Sequence, residues 1–135
     1  MRSGGGQTIE LGDFTGDVGL DGRHNAINAI AVVELARRLG VADVDIARRL
    51  AELEPPPMRF VRHLVNGIEV VDDTYNANPE SMRASLETFA EISTGATRRI
   101  SVLGGMRELG TRSASLHEQV GAVAANVSDE IVLVG

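Results

Sequence analysis

Two residue types are missing outright. The 135-residue chain has no cysteine, and all 13 of its basic residues are arginine, so lysine is absent as well. Without cysteine there are no disulfides, thiolate nucleophiles or cysteine metal sites, which fits a reducing compartment. Without lysine there is no Walker A loop, whose Gly-Lys-Ser/Thr reaches nucleotide phosphates, and no lysine Schiff base. Long apolar runs are lacking too. The richest, Ala26 to Ala36, is broken by Asn28 and Glu34 and falls short of the ~20 residues a bilayer needs. No apolar segment follows Met1-Arg2-Ser3-Gly4-Gly5-Gly6, so no signal peptide is expected. Positive charge is scarce: 13 basic residues against 19 acidic ones leave −6, a poor match to a phosphate backbone. A cytoplasmic chain with no membrane insertion and no nucleic-acid partner is expected.

What is present is globular in composition, 43% apolar and 24% charged, in a length suited to one domain or to pieces of two. Patterning predicts a strand from Gln7 to Phe14, then a Gly/Asp-rich loop from Thr15 to Arg23. His24 to Leu39 is apolar on most faces and predicts a buried helix stopped by Gly40. A short helix over Val44 to Leu53 follows, with Asp43 as its expected N-cap. Pro55-Pro56-Pro57 cannot continue a helix and makes the best domain boundary in the chain.

Beyond the prolines the period becomes strand-like. Asn66-Gly67 between two apolar runs predicts a type I′ hairpin. Asn78-Pro79 predicts a helix opened by an Asn cap with Pro in its first turn. Two short apolar strands, Ile100 to Leu103 and Ile131 to Val134, enclose a helix over Ser113 to Val127, with Ser115 and Glu118 as one capping box. Strand, helix, strand, helix, strand with unalternating cores predicts an α/β fold built on a parallel sheet. An unpaired last strand and a first segment with no sheet to pack on predict a piece of a longer sequence.

Three places could carry chemistry. Asn25 and Asn28 lie three apart, hence on one helix face. They either anchor the loop or present carboxamides to an adenine edge. His24 beside them shapes the loop or caps the helix, and a metal role is weak for want of a second ligand. Arg59 after the prolines is surface charge or a fork for phosphate oxygens. The octet Asp72-Asp73-Thr74-Tyr75-Asn76-Ala77-Asn78-Pro79 puts acids, a phenol and amides at a strand end, where parallel sheets bind ligands. An Asx turn and helix cap account for its last two residues but not for the whole. The third patch, Leu103-Gly104-Gly105-Met106-Arg107-Glu108-Leu109-Gly110, opens at another strand end and is not a dinucleotide fingerprint. His117 reads as a half-buried helix residue.

Gly22-Arg23-His24-Asn25-Ala26-Ile27-Asn28-Ala29, the prolines with Arg59, the octet running on to Glu80-Ser81-Met82, and the third patch followed by Ser113 and Leu116-His117 resemble the ATP-dependent Mur ligases of peptidoglycan synthesis. The octet resembles most the member that joins D-Ala-D-Ala to UDP-MurNAc-tripeptide. The resemblance runs from about Leu20 to the end. It implies that residues 1–54 are the tail of a central ATPase domain, 55–57 a hinge, and 58–135 the first part of a Rossmann-like C-terminal domain. It also implies ATP and Mg2+, with the phosphate loop and metal ligands in upstream sequence, and no activity in this stretch alone. Asn25 and Asn28 would then sit at the adenine, Arg59 near the phosphates, Asp73 on the ribose, and Tyr75 and Asn76 along the substrate cleft. No residue here is expected to transfer a proton, and no oligomeric state is implied. Two departures stand out: Gly105 replaces the family's Asp, and Met58 replaces the Gly of Pro-Gly-Arg. Another Mur or folylpolyglutamate-type ligase with a different amino acceptor, a nucleotide-binding module without catalysis, and a structural interaction domain are the competing readings.

Overall fold

Residues 6–135 are described by the structure, a computed structural model; the opening read above as free of a leader, Met1–Gly5, lies outside them. Strands β1 (Gln7–Leu11) and β2 (Phe14–Val18) form an antiparallel hairpin in which Leu11 pairs with Phe14. This corrects the expected single strand and loop. Gly12 takes φ 59° and Asp13 a negative φ, the sign pattern of a type II′ turn. Thr15-Gly16-Asp17 therefore belongs to a strand whose inward residues, Phe14 and Val18, follow period two.

Helix α1 (Arg23–Arg38) and helix α2 (Asp43–Ala51) follow this hairpin. Ile9, Phe14, Val18, Ala29, Val33, Ile46 and Leu50 form one buried cluster. The expectation of a buried α1 is corrected: only Ala29 and Val33 are buried, while Ile27, Val32, Leu35 and, just beyond its end, Leu39 are exposed. The expected cap of α2 also moves, since Ala42 is its N-cap and supplies no side-chain bond. Asp43 is instead the first helical residue, where a carboxylate favours the dipole. It accepts from Arg37 at 2.6 Å and 2.8 Å, and Arg37 also reaches Asp13 at 2.9 Å and lies over the Phe14 ring. That guanidinium holds the Asp43 carboxyl below its usual range. Gly19 packs its backbone on α2, donating its N–H to Leu50 O at 2.9 Å. A Cβ there would stand 2.2 Å from Leu53 O.

After the prolines, β3 (Val61–Val65) and β4 (Ile68–Asp72) form the expected hairpin, with Asn66 and Gly67 at φ 52° and 81°. Positive φ at both centres is what a type I′ turn requires. Arg62 ties the hairpin down through Glu69 on β4 and Asp21 at 3.6 Å.

The chain forms two compact units that meet in sequence at Asp72 and Asp73. In the second, α3 (Pro79–Ile92) leads to β5 (Ile100–Gly104), a 3-10 turn (Gly110–Arg112), α4 (Ser113–Val127) and β6 (Glu130–Val134). Strands β5 and β6 pair in parallel, Ile100 with Glu130 through Gly104 with Val134, so the fold is α/β with a helical crossover. The parallel sheet has two strands where three were expected, because β4 is paired with β3 in a separate sheet. Leu86, Met106, Val120 and Ala124 form the core of this unit. The proposed Ser115 capping box is absent: Arg112 is the N-cap of α4, and the Ser115 hydroxyl donates to its carbonyl at 3.0 Å. Among the described residues no helix is long and apolar enough to cross a membrane.

Candidate functional site

The N-terminus of α1 is fixed from several directions. Gly22, at φ 95°, is its N-cap, and its carbonyl accepts from Asn25 N–H at 2.9 Å and Ala26 N–H at 3.2 Å. The Gln7 amide donates to Leu20 O at 2.9 Å and Gly22 O at 2.7 Å. Asn25 donates from its side chain to Asp21 O at 2.8 Å, while the Asp21 carboxylate accepts from Gly6 N–H at 2.8 Å. Asn25 thus performs the anchoring role with one of its two amide hydrogens, leaving its oxygen as an acceptor. Asn28, one turn on, is exposed.

Between the two amides and the cap stands His24, whose Nδ1 is buried with no hydrogen-bond partner. The first turn of α1 holds no acidic residue and its cap supplies no side-chain bond; the nearest carboxylate in sequence is Asp21, just before the cap. The exposed Asn28 carboxamide offers one donor group and one acceptor to solvent on the turn beyond His24. The apolar groove lined by Val32, Ala36, Val41, Ile46 and Leu50 contains none of these residues.

Pro55-Pro56-Pro57 runs into a turn in which Arg59 N–H donates to Pro56 O at 3.2 Å. Met58 lies at φ 61° and the buried Phe60 at φ 54°. Met58 therefore occupies the left-handed conformation that glycine adopts without cost. The departure from Pro-Gly-Arg keeps the glycine-type backbone and holds it with a less suited residue. Arg59 is exposed.

In the second unit Asp73 is half-buried at the start of the loop, and Tyr75 and Asn76 are exposed. Asn76 accepts from Ala77 N–H at 2.9 Å. Asn78 caps α3 as expected: its side chain accepts from Ser81 N–H at 2.9 Å while Asn78 N–H donates to the Ser81 hydroxyl at 3.3 Å. Capping therefore accounts for Asn78-Pro79, and Asn76 has a local turn contact.

The patch after β5 is held by a residue whose role the sequence did not disclose. Met106 is 6% exposed, and its N–H donates to His117 Nε2 at 3.1 Å. His117 Nδ1 lies 2.8 Å from Ser113 O. A Cβ at Gly105, the position of the family's Asp, would meet nothing within 4 Å. Among the described residues no group of three His, Asp or Glu side chains is placed to hold a metal ion.

The family profile described as "Mur ligase, glutamate ligase domain" matches residues 58–135. The chain belongs to the Mur ligase family. It is 42% identical over 109 residues to the UDP-N-acetylmuramoyl-tripeptide–D-alanyl-D-alanine ligase of Treponema pallidum, covering 80% of this chain and 23% of that protein. Its fold matches a crystal structure of MurF from Acinetobacter baumannii with TM-score 0.81 and 31% identity, over 96% of this chain and 29% of that one. A MurF ligase from Thermotoga maritima in complex with ADP matches with TM-score 0.80 and 32% identity, over 98% and 31% respectively. The chain thus spans about a quarter of the length of the curated relatives it matches. The Mur ligase resemblance read from the octet and the α/β fold both hold.

Proposed function

We propose that this chain is the nucleotide-facing stretch of an ATP-dependent ligase of peptidoglycan precursor synthesis, one that joins D-Ala-D-Ala to UDP-MurNAc-tripeptide. The observation that carries the reading is the likeness over almost the whole chain to a MurF ligase that binds ADP. In the whole protein the tripeptide carboxylate attacks the γ-phosphorus of ATP, forming an acyl phosphate and releasing ADP. The D-Ala-D-Ala amine then attacks the acyl carbon, phosphate leaves, and the amine proton goes to solvent. Mg2+ and the phosphate loop belong to sequence outside this stretch. Residues 1–54 are assigned to the central ATPase domain, 55–57 to the hinge and 58–135 to the Rossmann-like domain, and the reaction is placed in the cytoplasm.

This stretch positions rather than transfers protons. Asn25 and Asn28 are assigned to adenine, where a carboxamide offers one donor and one acceptor. Arg59 is assigned to the phosphates, which a guanidinium meets with paired donors, and Asp73 to the ribose hydroxyls. Tyr75 and Asn76 are assigned to the substrate cleft. Holding charge and geometry in this way supplies most of the catalysis in phosphoryl transfer.

The test is product identity. The full-length protein is given ATP, Mg2+, UDP-MurNAc-tripeptide and an equal mixture of D-Ala-D-Ala, D-Glu and L-Ala, and the products are weighed by mass spectrometry. The proposal expects addition of the dipeptide alone. Addition of a single amino acid assigns the chain to another ligase of the family, and nucleotide binding without any product assigns it to a non-catalytic module.

A further inference from the structure

The bond between His117 and the patch after β5 is accounted for neither by the proposed nucleotide contacts nor by core packing. Residues 105–112 run from the carboxyl end of a parallel strand, the end at which open α/β sheets bind ligands. Two anchors hold the loop near its start. The Met106 side chain is buried in the core with Leu86, Val120 and Ala124. The Met106 N–H is taken by His117, eleven residues on and in the second turn of α4.

The two bonds of this imidazole define its protonation. A backbone N–H can only donate, so Nε2 must carry a lone pair and no proton. The proton of the neutral ring is then on Nδ1, where Ser113 O, which can only accept, lies at 2.8 Å. The Ser113 hydroxyl, at 3.3 Å from the same nitrogen, is the poorer partner. Ser113 is four residues before His117, so the second bond runs along α4 and fixes the ring against its own helix. The first bond then transfers that rigidity to the loop.

We propose that His117 is a positioning residue: as the neutral, Nδ1-protonated imidazole it bridges α4 and the backbone of Met106, and so sets the path of the loop at the carboxyl end of β5. A leucine of similar bulk keeps the packing and cannot accept. A glutamine can bring an amide oxygen toward the position of Nε2. A residue that served packing alone would tolerate leucine better than glutamine, and the proposal requires the reverse order. The loop claim stands on the geometry, whereas its consequence for turnover rests on the ligase reading above.

The test has a part for each. In the 135-residue chain at neutral pH, long-range nitrogen–proton NMR reads the His117 tautomer, and amide exchange reads Met106, with Val102 on β5 as the internal control. The expected result is a proton on Nδ1 and a protected Met106 amide. His117→Leu should speed Met106 exchange about tenfold, the scale of one lost hydrogen bond, with Val102 unchanged, and His117→Gln should restore most of the protection. A proton on Nε2 in the wild-type chain, which needs no variant to fold, overturns the bridge, as does Met106 exchange that His117→Leu leaves untouched. In the full-length ligase, His117→Leu should lower kcat/KM about tenfold and His117→Gln should recover most of it. Equal activity of both variants, alongside a Met106 amide that has lost protection, overturns the role in turnover while leaving the bridge. A full-length wild type that forms no amide bond contradicts the ligase reading and leaves the NMR result to decide the bridge.

Discussion

The apolar residues of the two units have opposite fates. Around β1 and β2 they alternate along the strands and are closed over by α1 and α2, leaving Phe14 2% exposed and Val33 fully buried. On β5 and β6 they run without alternation, and every residue of β6 is exposed, Leu133 at 79%. An antiparallel hairpin with one apolar face is satisfied by one helical layer, whereas a parallel strand with apolar residues on both faces is built for cover on both. The second pattern leaves apolar faces uncovered in this chain, which spans about a quarter of the length of the curated relatives it matches. Exposed apolar residues on α1, such as Ile27 and Leu35, belong with this second kind.

Deleting matched side chains in the two regions puts the contrast to its hardest test. Phe14→Ala should destabilise the first unit by about 4 kcal/mol in denaturant titration, while Leu133→Ala should change stability by less than about 0.5 kcal/mol. Comparable losses would mean that the exposed face of β6 is covered in this chain. Next in size, Gly19→Ala should cost about 3 kcal/mol, because the added methyl meets the Leu53 carbonyl, which belongs to backbone and cannot swing aside. A neutral result would show that α2 and β2 are not packed so closely. Met58→Gly runs the other way: relief of the left-handed conformation outweighs the entropy of glycine, raising stability by about 0.5 kcal/mol.

The smallest effect concerns the Arg37 cluster that closes the first core. Arg37 lowers the folded-state pKa of Asp43, so the unfolded chain binds that proton more readily. The stability this contributes is complete above the unfolded-state value of about 3.9 and is lost as pH falls through the lower folded value. Asp43→Asn should therefore flatten the loss of stability measured below about pH 4 and reduce stability slightly at neutral pH. An unchanged acid limb would remove Asp43 from that account.

How much of this was legible in the sequence depended on whether the signal was local. Asn66-Gly67 and Asn78-Pro79 each contain their own reason for folding, a pair of positive φ angles in one and a cap with a proline first turn in the other, and both elements came out as read. Thr15-Gly16-Asp17 has the composition of a loop, which masks the turn at Gly12-Asp13; the period-two pair Phe14 and Val18 is the signal that marks the strand. The burial of α1 differs for another reason: apolar residues occur on most of its faces, but only the Ala29 and Val33 face meets the first core. His117 could not be found by periodicity at all. Its partner lies eleven residues upstream, and the bond is to backbone, which leaves no mark in the identity of Met106. Of the residues proposed to face a ligand, Asn28, Arg59 and Asp73 stand out by residue type alone, and Asn25 has the anchoring role that is its alternative reading.

The proposal rests most heavily on Asp73 as a ribose contact, a half-buried carboxylate at the start of the loop after β4. Steady-state kinetics of Asp73→Ala in the proposed ligase tests this directly. Loss of charged hydrogen bonds to a hydroxyl pair should raise KM for ATP at least about tenfold, with KM for UDP-MurNAc-tripeptide within about twofold of wild type. An ATP dependence identical to wild type, or a defect confined to the tripeptide, would contradict it.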